Sequence, residues 1–320
     1  MFHRRVTVIG GSGFLGRYIV KRLAAEGPVV RVAVRNPDAA LFLKPFGPVG
    51  RIVPFGTDIR DDALVSAAVA GVDAVVNLPG ILHESGRQTF QAIHVDGARR
   101  VARCAREAGV SRLVHVSAIG ADPASPSAYA RTKAAGEAAV LEEFPGATIL
   151  RPSILIGPED RFFNRFAAMA RHSPVLPLIG GGRTRFQPVY VGDVADAVMA
   201  VLRDPATAGR TYELGGPVSY SFRQLMEIML REIDRRRLLL PLPFGLAMLQ
   251  AWFLEKLPNP MLTRDQVEML KRDNCVAEGA AGFADLGIAP KNIEIVLPTY
   301  LARFRRGGSF ARPGPLKTGE

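Results

Sequence analysis

A short apolar strand followed by a glycine-rich turn opens this chain. Four apolar or β-branched residues at 6–9 are followed by four glycines within seven positions. Leu15, Ile19 and Leu23 then recur at four-residue steps, which indicates one face of a helix. A strand, a tight glycine turn and a helix form a site for a dinucleotide phosphate, because a chain without Cβ atoms approaches the phosphate closely and the helix N–H groups face its charge.

The glycines of this turn fit two forms of the dinucleotide-binding motif. Gly-x-Gly-x-x-Gly fits at positions 11, 13 and 16, and Gly-x-x-Gly-x-x-Gly fits at positions 10, 13 and 16. A glycine-rich turn without a ligand is the alternative, but the place of this turn between a strand and a helix favours a dinucleotide site. The expected cofactor contacts in the turn are Gly10, Ser12, Gly13, Phe14, Leu15 and Gly16.

The residue after the second predicted strand indicates which dinucleotide is bound. The run VVRVAV at 29–34 is predicted as that strand, and Arg35 follows it, nineteen residues after Gly16. An acidic side chain near this offset binds the 2′-hydroxyl of NAD, whereas an arginine suits the 2′-phosphate of NADP. No Asp or Glu lies between Glu26 and Asp38. Arg35 therefore favours NADP(H), and the alternative is a solvated surface arginine.

The length and composition suit one large or two smaller globular units. The chain has 320 residues, of which 48% are hydrophobic, so a large core is available. Its two cysteines, Cys104 and Cys275, lie far apart, and neither they nor the five histidines show a metal-binding spacing. We therefore predict no metal site, and we expect a reducing compartment rather than a disulfide framework.

An excess of basic residues limits the classes of partner. The formal net charge is +11, and basic proteins favour nucleic acid, anionic membrane surfaces or acidic partners. No zinc-finger spacing is present, and aromatic residues do not alternate with Arg and Lys, so nucleic acid is not expected. The arginine clusters at 235–237 and 303–306 lie in the last third of the chain. A membrane surface or a partner protein fits this distribution better.

The first residues give an expectation about location. The chain enters a predicted strand almost at once, which leaves no room for a signal peptide or a transit peptide. This indicates a cytoplasmic protein, although a processed eukaryotic chain would look the same.

Strand and helix signals alternate through the first half of the chain. Further strands are predicted at 51–55, 73–78, 112–117 and 147–150. Helices are predicted at 63–69, 92–108 and 127–143. This alternation predicts an α/β fold, with a doubly wound parallel sheet of the Rossmann type and right-handed crossovers. Ligands of such sheets bind at the carboxyl ends of strands. Five residues fall there: Arg35, Asp58, Leu78, Pro79 and Ser117.

The regular alternation ends near Arg151, which suggests a second unit. We assign residues 1–205 to an NADP-binding Rossmann domain with excursions to a second lobe around 155–187. Residues 206–305 are expected to form a smaller C-terminal α/β lobe. Residues 306–320 are rich in Gly and Pro and poor in apolar residues, so they are predicted to be a disordered tail.

One apolar stretch of the second lobe, residues 238–257, is long enough to span a membrane. Two prolines and a glycine between 241 and 245 interrupt it and leave a helix of about eleven residues, which is too short to cross. A buried helix and an interfacial segment that rests on a membrane or a hydrophobic partner are the two alternatives. Trp252 and Phe253, together with the arginines at 235–237, favour the interfacial alternative.

Tyr129 and Lys133 stand at i and i+4 in a predicted helix and so share one face. An ammonium at this spacing is expected to lower the phenol pKa, which lets the tyrosine act as a general acid or base. The lysine can also donate a hydrogen bond to a nicotinamide ribose. Tyr-x-x-x-Lys is common by chance, but here it lies one helix after the fifth strand of a nucleotide-binding sheet. The pair is therefore the candidate catalytic pair.

Together these residues resemble the extended and atypical short-chain dehydrogenase/reductases over roughly residues 4–215. The matching pieces are the glycine turn, Asp-Ile at 58–59, NLPG at 77–80, the Tyr/Lys pair, Arg-Pro at 151–152 and PVYVGDV at 188–194. The resemblance implies that Asp58 and Ile59 border the adenine. It also implies that the cofactor cleft is lined by Leu78, Pro79, Gly80, Ser117 and Pro152, with Tyr129 and Lys133 beside the nicotinamide.

Two positions depart from the pattern of active members of that family. Those members carry a Ser or Thr just after the fifth strand that helps to hold the substrate oxygen, and the best alignment places Ala118 there, next to Ser117. Many also carry an Asn on the preceding helix, where this chain has His94. Both departures predict little or no turnover and a vestigial Tyr129/Lys133 pair.

A closer resemblance covers nearly the whole chain. Its motifs are EDRFFN at 159–164, QPVYV at 187–191, LPLP at 240–243 and LTRDQVE at 262–268. These segments resemble the NADPH-binding accessory subunits of respiratory complex I, the alpha-subcomplex subunit 9 family. Generic reductases vary most in this lobe, so the motifs are specific. The resemblance implies a tightly held NADPH with a structural role and a position near the membrane junction and the quinone site.

We therefore predict a largely structural, non-catalytic accessory subunit of respiratory NADH:ubiquinone oxidoreductase. Its expected partners are subunits of the peripheral arm and of the membrane junction, with anionic lipid as a further candidate. Its expected location is the cytoplasmic face of a bacterial inner membrane, bound peripherally, or the matrix side for a processed eukaryotic chain. The alternative is a free NADPH-dependent reductase or epimerase acting on a quinone-related or sugar-nucleotide substrate.

Overall fold

The computed structural model describes residues 4–258 and 260–308. Its strands are β1 (Arg5–Ile9), β2 (Val29–Val34), β3 (Ile52–Gly56), β4 (Ala74–Asn77), β5 (Arg112–Val116), β6 (Thr148–Pro152), β7 (Leu155–Ile156), β8 (Val175–Ile179), β9 (Arg185–Phe186), β10 (Val189–Tyr190), β11 (Thr211–Leu214), β12 (Tyr220–Ser221) and β13 (Leu238–Leu242). Its α-helices are α1 (Phe14–Glu26), α2 (Asp62–Val69), α3 (Gly97–Glu107), α4 (Ala128–Glu143), α5 (Phe163–His172), α6 (Val191–Arg203), α7 (Phe222–Glu232), α8 (Phe244–Leu254), α9 (Arg264–Met269), α10 (Ile293–Val296) and α11 (Pro298–Leu301). Residues 309–320 of the predicted tail lie outside the described residues, so the disorder of that tail stays a prediction.

Seven strands form one sheet in which every neighbouring pair is parallel. Their order is β11-β6-β5-β4-β1-β2-β3. The order reverses between β1 and β4, because β2 and β3 extend the sheet on one side and β4 to β6 extend it on the other. This confirms the predicted doubly wound sheet of the Rossmann type. In such a sheet a ligand crevice opens at the carboxyl ends of the strands where the order reverses.

Apolar side chains on both faces of the sheet pack against helices. On one face, Val6 and Val8 of β1 lie in a cluster with residues of α1 and α6. On the other face, Ile9 lies in a cluster with residues of α2, α3 and α4. Burial on two faces requires strands that are apolar nearly throughout, which explains why the strands of the first half were visible in the sequence.

The edge strand β11 lies beyond residue 205, where we expected the Rossmann domain to end. It pairs in parallel with β6, with Thr211 opposite Ile149. Tyr212 and Leu214 are fully buried, and both belong to the core cluster of α1 and α6. The large sheet therefore continues to Leu214, because β11 pairs with β6 and its side chains are buried in the core of that sheet.

A second apolar core forms the smaller lobe. It unites side chains from residues 156–186, 222–233 and 293–304, among them Phe163 and Phe222. In this lobe β8 and β13 pair in parallel, with Val175 opposite Leu238. The lobe is therefore built from segments on both sides of β11.

The helix predicted at 92–108 begins later than expected. Residues Gln91–Asp96 form a π-helical turn, and α3 follows from Gly97. The turn packs directly on α4, because a Cβ at Gly136 would lie only 2.0 Å from the His94 carbonyl oxygen. A π turn inserts an extra residue into the helical register and often marks a functional site. Here it brings His94 against the helix that carries the Tyr/Lys pair.

The apolar stretch 238–257 forms β13 and α8. Helix α8 has 11 residues, of which only Ala247 and Ala251 are buried. Leu246, Leu249 and Phe253 are 57%, 56% and 60% exposed. The buried-helix alternative is therefore wrong, since more than half of the residues of this helix are exposed. It packs on the lobe through its two alanines and the partly buried Phe244 and Met248. No helix in residues 4–258 and 260–308 is long and apolar enough to cross a membrane.

Candidate functional site

The glycine turn joins β1 to α1 in the conformation that a phosphate cradle requires. Gly10 has a φ of +78°, which glycine adopts without strain, and the Gly13 N–H donates to the Gly10 carbonyl at 3.0 Å. A Cβ at Gly16 would lie 2.6 Å from the Gly11 Cα, so α1 starts directly against the turn. Gly13 caps α1 without a side-chain hydrogen bond. The first N–H groups of α1 are therefore available to an anion.

The other residues predicted in the turn differ in which of their atoms could contact a cofactor. Ser12 is half-buried in the turn, whereas the Leu15 side chain is buried in the core. The Phe14 ring packs edge-on against Tyr18, with centroids 6.1 Å apart. A Cβ at Gly157 would lie 3.3 Å from that ring, so Phe14 touches the loop after β7. Leu15 can contribute only its backbone to a nucleotide site.

Three buried polar atoms at the carboxyl edge of the sheet have no hydrogen-bond partner in the described chain. They are Thr57 Oγ1 just after β3, Asn77 Oδ1 at the end of β4 and Ser117 Oγ just after β5. Leaving a buried polar group unpaired costs about 1–3 kcal/mol, and a polar ligand along this edge would pair them. The residues therefore fit a dinucleotide. Thr57 and Asn77 are additional to the cofactor contacts expected from the sequence, and their positions at strand ends are the signal that indicates them.

Just after β2, a basic residue lies close to an acid that is already paired with another arginine. Arg35 is exposed and donates no hydrogen bond to a described residue. Arg60 Nη2 donates to Asp58 Oδ2 at 2.5 Å. Hydrogen bonds from Arg60, with smaller help from the charge of Arg35, lower the pKa of Asp58 to about 2. Ile59 is buried against Gly97. At the β2–β3 end of the carboxyl edge, the Arg35 guanidinium is thus exposed and has no hydrogen-bond partner among the described residues.

The predicted cleft residues Leu78, Pro79 and Gly80 follow β4 and lie beside the glycine turn. The Leu78 N–H donates to the Ile9 carbonyl at 3.1 Å, which extends the β1–β4 pairing by one residue. A Cβ at Gly10 would lie 3.5 Å from Pro79 Cδ. The sheet therefore brings these residues and the turn together, as predicted from their places after the strands.

Ser117 and Pro152 lie farther along the same edge, after β5 and at the end of β6. The Ser117 N–H donates to the Leu150 carbonyl at 2.7 Å, and the Ile119 N–H donates to the Pro152 carbonyl at 3.0 Å. These bonds hold the loop after β5 against β6. The unpaired Ser117 hydroxyl is thereby fixed at the edge, whereas Pro152 offers only its ring.

Tyr129 and Lys133 lie one turn apart on α4, but no hydrogen bond joins Lys133 Nζ to the Tyr129 hydroxyl in the described structure. Lys133 is buried, and its Nζ donates to the Val116 carbonyl at 3.0 Å. Burial, and next the charge of Asp265, raise the pKa of Tyr129 to about 12. The expectation that the lysine lowers the phenol pKa is therefore wrong. The physical reason is that the ammonium fastens α4 to the end of β5 instead.

His94 stands where an Asn was expected and is held as a neutral ring. Its Nε2 accepts the Ile81 N–H at 3.1 Å, and its Nδ1 lies 3.1 Å from Thr132 Oγ1. Burial, and next the charge of Lys133, lower the pKa of His94 to about 3. Its ring meets the Tyr129 ring edge-on, with centroids 5.3 Å apart. His94 thus positions its neighbours, and because its ring is neutral it does not serve as an imidazolium acid at neutral pH.

Side chains of the second lobe reach the same edge, which the sequence did not indicate. Asp265 accepts the Ala128 N–H at 2.6 Å and the Ser127 hydroxyl at 2.8 Å. Asn274 Oδ1 accepts the Ser153 hydroxyl at 2.6 Å. Asp265 belongs to the LTRDQVE segment, whose sequence carries a family resemblance but no local signal for a contact with α4.

The arrangement favours nucleotide binding over proton transfer. The glycine turn, the unpaired hydroxyls and Arg35 provide an extended polar edge for a dinucleotide. A phenol with a raised pKa and a neutral His94 are poor partners for general acid–base work at neutral pH. Among the residues that the structure describes, no group of three or more His, Cys, Asp and Glu could hold a metal ion.

Comparison with known proteins gives one family model and relatives that match most of this chain. Residues 6–215 match the NAD dependent epimerase/dehydratase family. The chain is 39% identical to "NADH dehydrogenase [ubiquinone] 1 alpha subcomplex subunit 9, mitochondrial" of Arabidopsis thaliana, which covers 94% of this chain and 78% of the relative. It is 34% identical to "NADH-ubiquinone oxidoreductase 40 kDa subunit, mitochondrial" of Neurospora crassa, with 96% and 81% covered.

Solved structures share the fold at lower identity. The triphenylmethane reductase of Citrobacter sp. complexed with NADP(H) superposes with a TM-score of 0.74 at 18% identity, with 92% of this chain and 99% of that chain covered. At this identity the likeness concerns the fold alone.

Proposed function

This chain belongs to the NAD dependent epimerase/dehydratase family and to the alpha subcomplex subunit 9 group of NADH dehydrogenase relatives, and on that premise we propose that it is an accessory subunit of a respiratory NADH:ubiquinone oxidoreductase. The observation that carries the proposal is the 39% identity to the Arabidopsis subunit over 94% of the chain. A match of that extent includes the second lobe, not only the nucleotide-binding sheet.

We propose NADPH as the resident cofactor of this subunit. The first N–H groups of α1 would hold the pyrophosphate, and Arg35 would pair with the 2′-phosphate. Thr57, Asn77 and Ser117 would give their unpaired polar atoms to the same ligand. When bound, NADPH supplies a transferable hydride at its nicotinamide ring. The side chains of this chain bind and orient the cofactor.

A structural role fits the side chains around the nicotinamide end. Lys133 is engaged by the Val116 carbonyl, and the raised pKa of Tyr129 keeps its phenol protonated. Ala118 offers no hydroxyl beside Ser117. We therefore propose that the Tyr129/Lys133 pair is vestigial and that the bound nucleotide stabilises the fold, as a ligand that binds only the folded state does.

Docking at the membrane junction is supported by an exposed apolar surface. Of the sixteen large hydrophobic side chains exposed in the described residues, eight lie between positions 238 and 261. Leu246, Leu249, Trp252 and Phe253 form what we call the apolar face of α8. Lys256 Nζ lies 3.5 Å from the Trp252 ring centroid, and Arg235–237 precede the stretch. An apolar patch flanked by basic residues suits a hydrophobic subunit or an anionic lipid surface.

We propose that the subunit contacts both the peripheral arm and the membrane junction. Three arginines contribute only about 1 kcal/mol each near an anionic surface, so stable attachment requires protein contacts. This corresponds to the cytoplasmic face of a bacterial inner membrane, or to the matrix side of a mitochondrial one. A free NADPH-dependent reductase or epimerase is the competing function, because Tyr129 and Lys133 are both retained on α4.

Cell fractionation separates the two functions. The tagged protein is followed in the native organism and in a strain that lacks the peripheral arm of the enzyme. We expect membrane attachment in the native strain, partial resistance to salt washes because apolar contacts are not screened, and release in the deletion strain. A protein that is soluble in both strains would favour the free reductase, and retention without the arm would indicate direct lipid binding.

A further inference from the structure

Residues 263–274 of the second lobe, which we call the strap, cross the carboxyl edge of the large sheet. The strap begins with α9 and ends at Asn274. Gln266 Nε2 donates to the carbonyl of Leu82, in the loop after β4, at 3.4 Å. Arg272 Nη1 donates to Asp122, in the loop after β5, at 2.8 Å. The strap therefore touches the loops that follow two neighbouring strands.

The last residue of the strap reaches a third strand. Asn274 Nδ2 donates to the Ile119 carbonyl at 3.3 Å, and its Oδ1 accepts the Ser153 hydroxyl just after β6 at 2.6 Å. These contacts lie on the β4–β5–β6 side of the edge. In a doubly wound sheet the ligand crosses the point where the strand order reverses, here between β1 and β4. The part of the ligand beyond that point therefore lies over β4, β5 and β6.

Three hydrogen bonds join the strap to the N-terminus of α4. Asp265 Oδ1 accepts the Ala128 N–H at 2.6 Å, and Oδ2 accepts the Ser127 hydroxyl at 2.8 Å and the Tyr129 N–H at 3.2 Å. A carboxylate at a helix N-terminus is favourable because it pairs free N–H groups and the positive end of the helix dipole. Asp265 thereby fixes the backbone of Tyr129, the residue that would lie beside the nicotinamide of the proposed cofactor.

The strap is also anchored in its own lobe. Val267 is buried in a cluster with Ala247 and Ala251 of α8, and the Asn274 N–H donates to the Arg185 carbonyl at 2.8 Å. The strap is thus tied on both sides, to the second lobe by apolar packing and to the large sheet by polar side chains.

We propose that the strap closes the substrate side of the nucleotide site, with Asp265 as the positioning residue that latches it to α4, so that bound NADPH is retained and no substrate reaches Tyr129. The inference rests on the proposed NADPH binding. It assigns a role to the LTRDQVE segment. It also gives a steric reason for the lack of turnover, which is independent of the protonation of Tyr129.

The test compares Asp265→Ala with Asp285→Ala as a matched control. Asp285 also accepts a backbone N–H, from Gly282 at 2.7 Å, but its partner lies outside α4. NADPH release from the purified full chain is timed by fluorescence after a chase with excess NADP⁺, and acrylamide quenching of the bound nicotinamide reports its exposure. We expect Asp265→Ala to release NADPH about tenfold faster, since charged hydrogen bonds are lost, and to be quenched more strongly. Asp285→Ala should match the wild type.

A second pair of variants keeps the test decisive if Asp265→Ala does not fold. Arg272→Ala removes one exposed tether. Gln266→Ala removes the tether to Leu82 together with the cap that Gln266 gives to the Thr263 N–H. We expect release two- to threefold faster in each. Asp265→Asn retains one acceptor oxygen and should lie between wild type and Asp265→Ala. Unchanged release and quenching in the folded variants would overturn the strap while leaving NADPH binding intact. Wild-type protein without nucleotide would instead overturn the proposed cofactor.

Discussion

The Lys133 ammonium donates to the Val116 carbonyl oxygen at 3.0 Å. Through this bond the buried lysine ties α4 to the last residue of β5. Burial lowers the pKa of Lys133 to about 8, and the carbonyl compensates part of the desolvation of its charge. The residue that would activate Tyr129 in a catalytic pair is thus committed to holding the helix in place.

Removing the Tyr129 hydroxyl should therefore have little effect on function. We expect Tyr129→Phe to leave respiratory NADH oxidation and NADPH content within about twofold of wild type, because the ring contact with His94 is retained. The matched variant Lys133→Met should lower stability, since it leaves the Val116 carbonyl without its donor. NADPH oxidation with a quinone or carbonyl panel that collapses in Tyr129→Phe would support the free reductase instead.

Cofactor preference should depend on Arg35. In Arg35→Asp the pairing with the 2′-phosphate is replaced by repulsion, so NADPH affinity should fall by about 1.5–3 kcal/mol while NADH affinity holds or rises. Calorimetric titration with both nucleotides measures the ratio. Arg236→Asp, on a distant exposed residue, makes the same charge change as a control. An unchanged ratio in Arg35→Asp would rule out this residue as the selector.

The glycine turn should be needed to retain the nucleotide. Gly13 has an ordinary φ of −69°, and a Cβ there would meet only the Gly10 carbonyl, at 3.2 Å. The effect of Gly13→Val therefore comes from the branched side chain at the phosphate, not from the backbone. We expect loss of copurified nucleotide with modest destabilisation, and Gly146→Val as a control should retain it. Normal nucleotide content in a folded Gly13→Val protein would place the cofactor elsewhere.

Stability should fall on mild acidification because of His94. Its pKa of about 3 in the folded state lies below the value of about 6.5 in the unfolded chain. Between these values the unfolded state binds more protons, so stability is present above pH 6.5 and is lost as the pH falls toward 3. His94 alone accounts for roughly 2 kcal/mol between pH 7 and pH 5.

Urea unfolding of wild type and His94→Gln at the two pH values measures this term. Buried His115, whose pKa burial also lowers, adds a loss in the same direction that both proteins share. The variant should lose less stability on acidification than wild type, whereas His172→Gln, at an exposed histidine, should behave as wild type. Equal losses in wild type and His94→Gln would contradict the buried neutral His94.

The apolar face of α8 should be required for attachment. Leu249→Glu with Phe253→Glu places two charges on side chains that are 56% and 60% exposed, so the free protein should fold normally. Burying each original side chain in an interface contributes about 1.5–3 kcal/mol, and the double variant should move to the soluble fraction. Val49→Glu, at another exposed apolar residue, serves as the control. Membrane attachment equal to wild type in the double variant would exclude α8 from the interface.

The nucleotide-binding sheet could be predicted from the sequence because each of its strands and its glycine turn has a local residue pattern. Strands buried on two faces read as apolar runs, and Gly10 and Gly16 mark the turn by their spacing. Strand β11 was assigned to the wrong lobe because its four residues are too few to show a clear strand pattern. They also lie just beyond the expected domain boundary at residue 205. The late start of α3 depends on the contact between His94 and Gly136, which no local pattern reports.

The candidate site was predictable only where its residues follow strands. The distant partners of Lys133 and Asp265 were not, because side-chain hydrogen bonds between remote segments leave no periodic signal. The EDRFFN segment illustrates this limit. In the structure Asp160 accepts a hydrogen bond from Tyr300, and Glu159 accepts one from Tyr18 at 3.0 Å. These contacts join the second lobe to α1 and to the C-terminal helices.

The stoichiometry of this chain in purified respiratory NADH:ubiquinone oxidoreductase tests directly whether it is a subunit of that enzyme. The enzyme is isolated from native membranes through a tag on another subunit, and the chain is quantified by mass spectrometry against a core subunit. We expect one copy per complex, with NADPH released on denaturation in the same amount. Absence of the chain from an intact, active enzyme, together with its recovery as a free soluble protein, would show that it is not an accessory subunit.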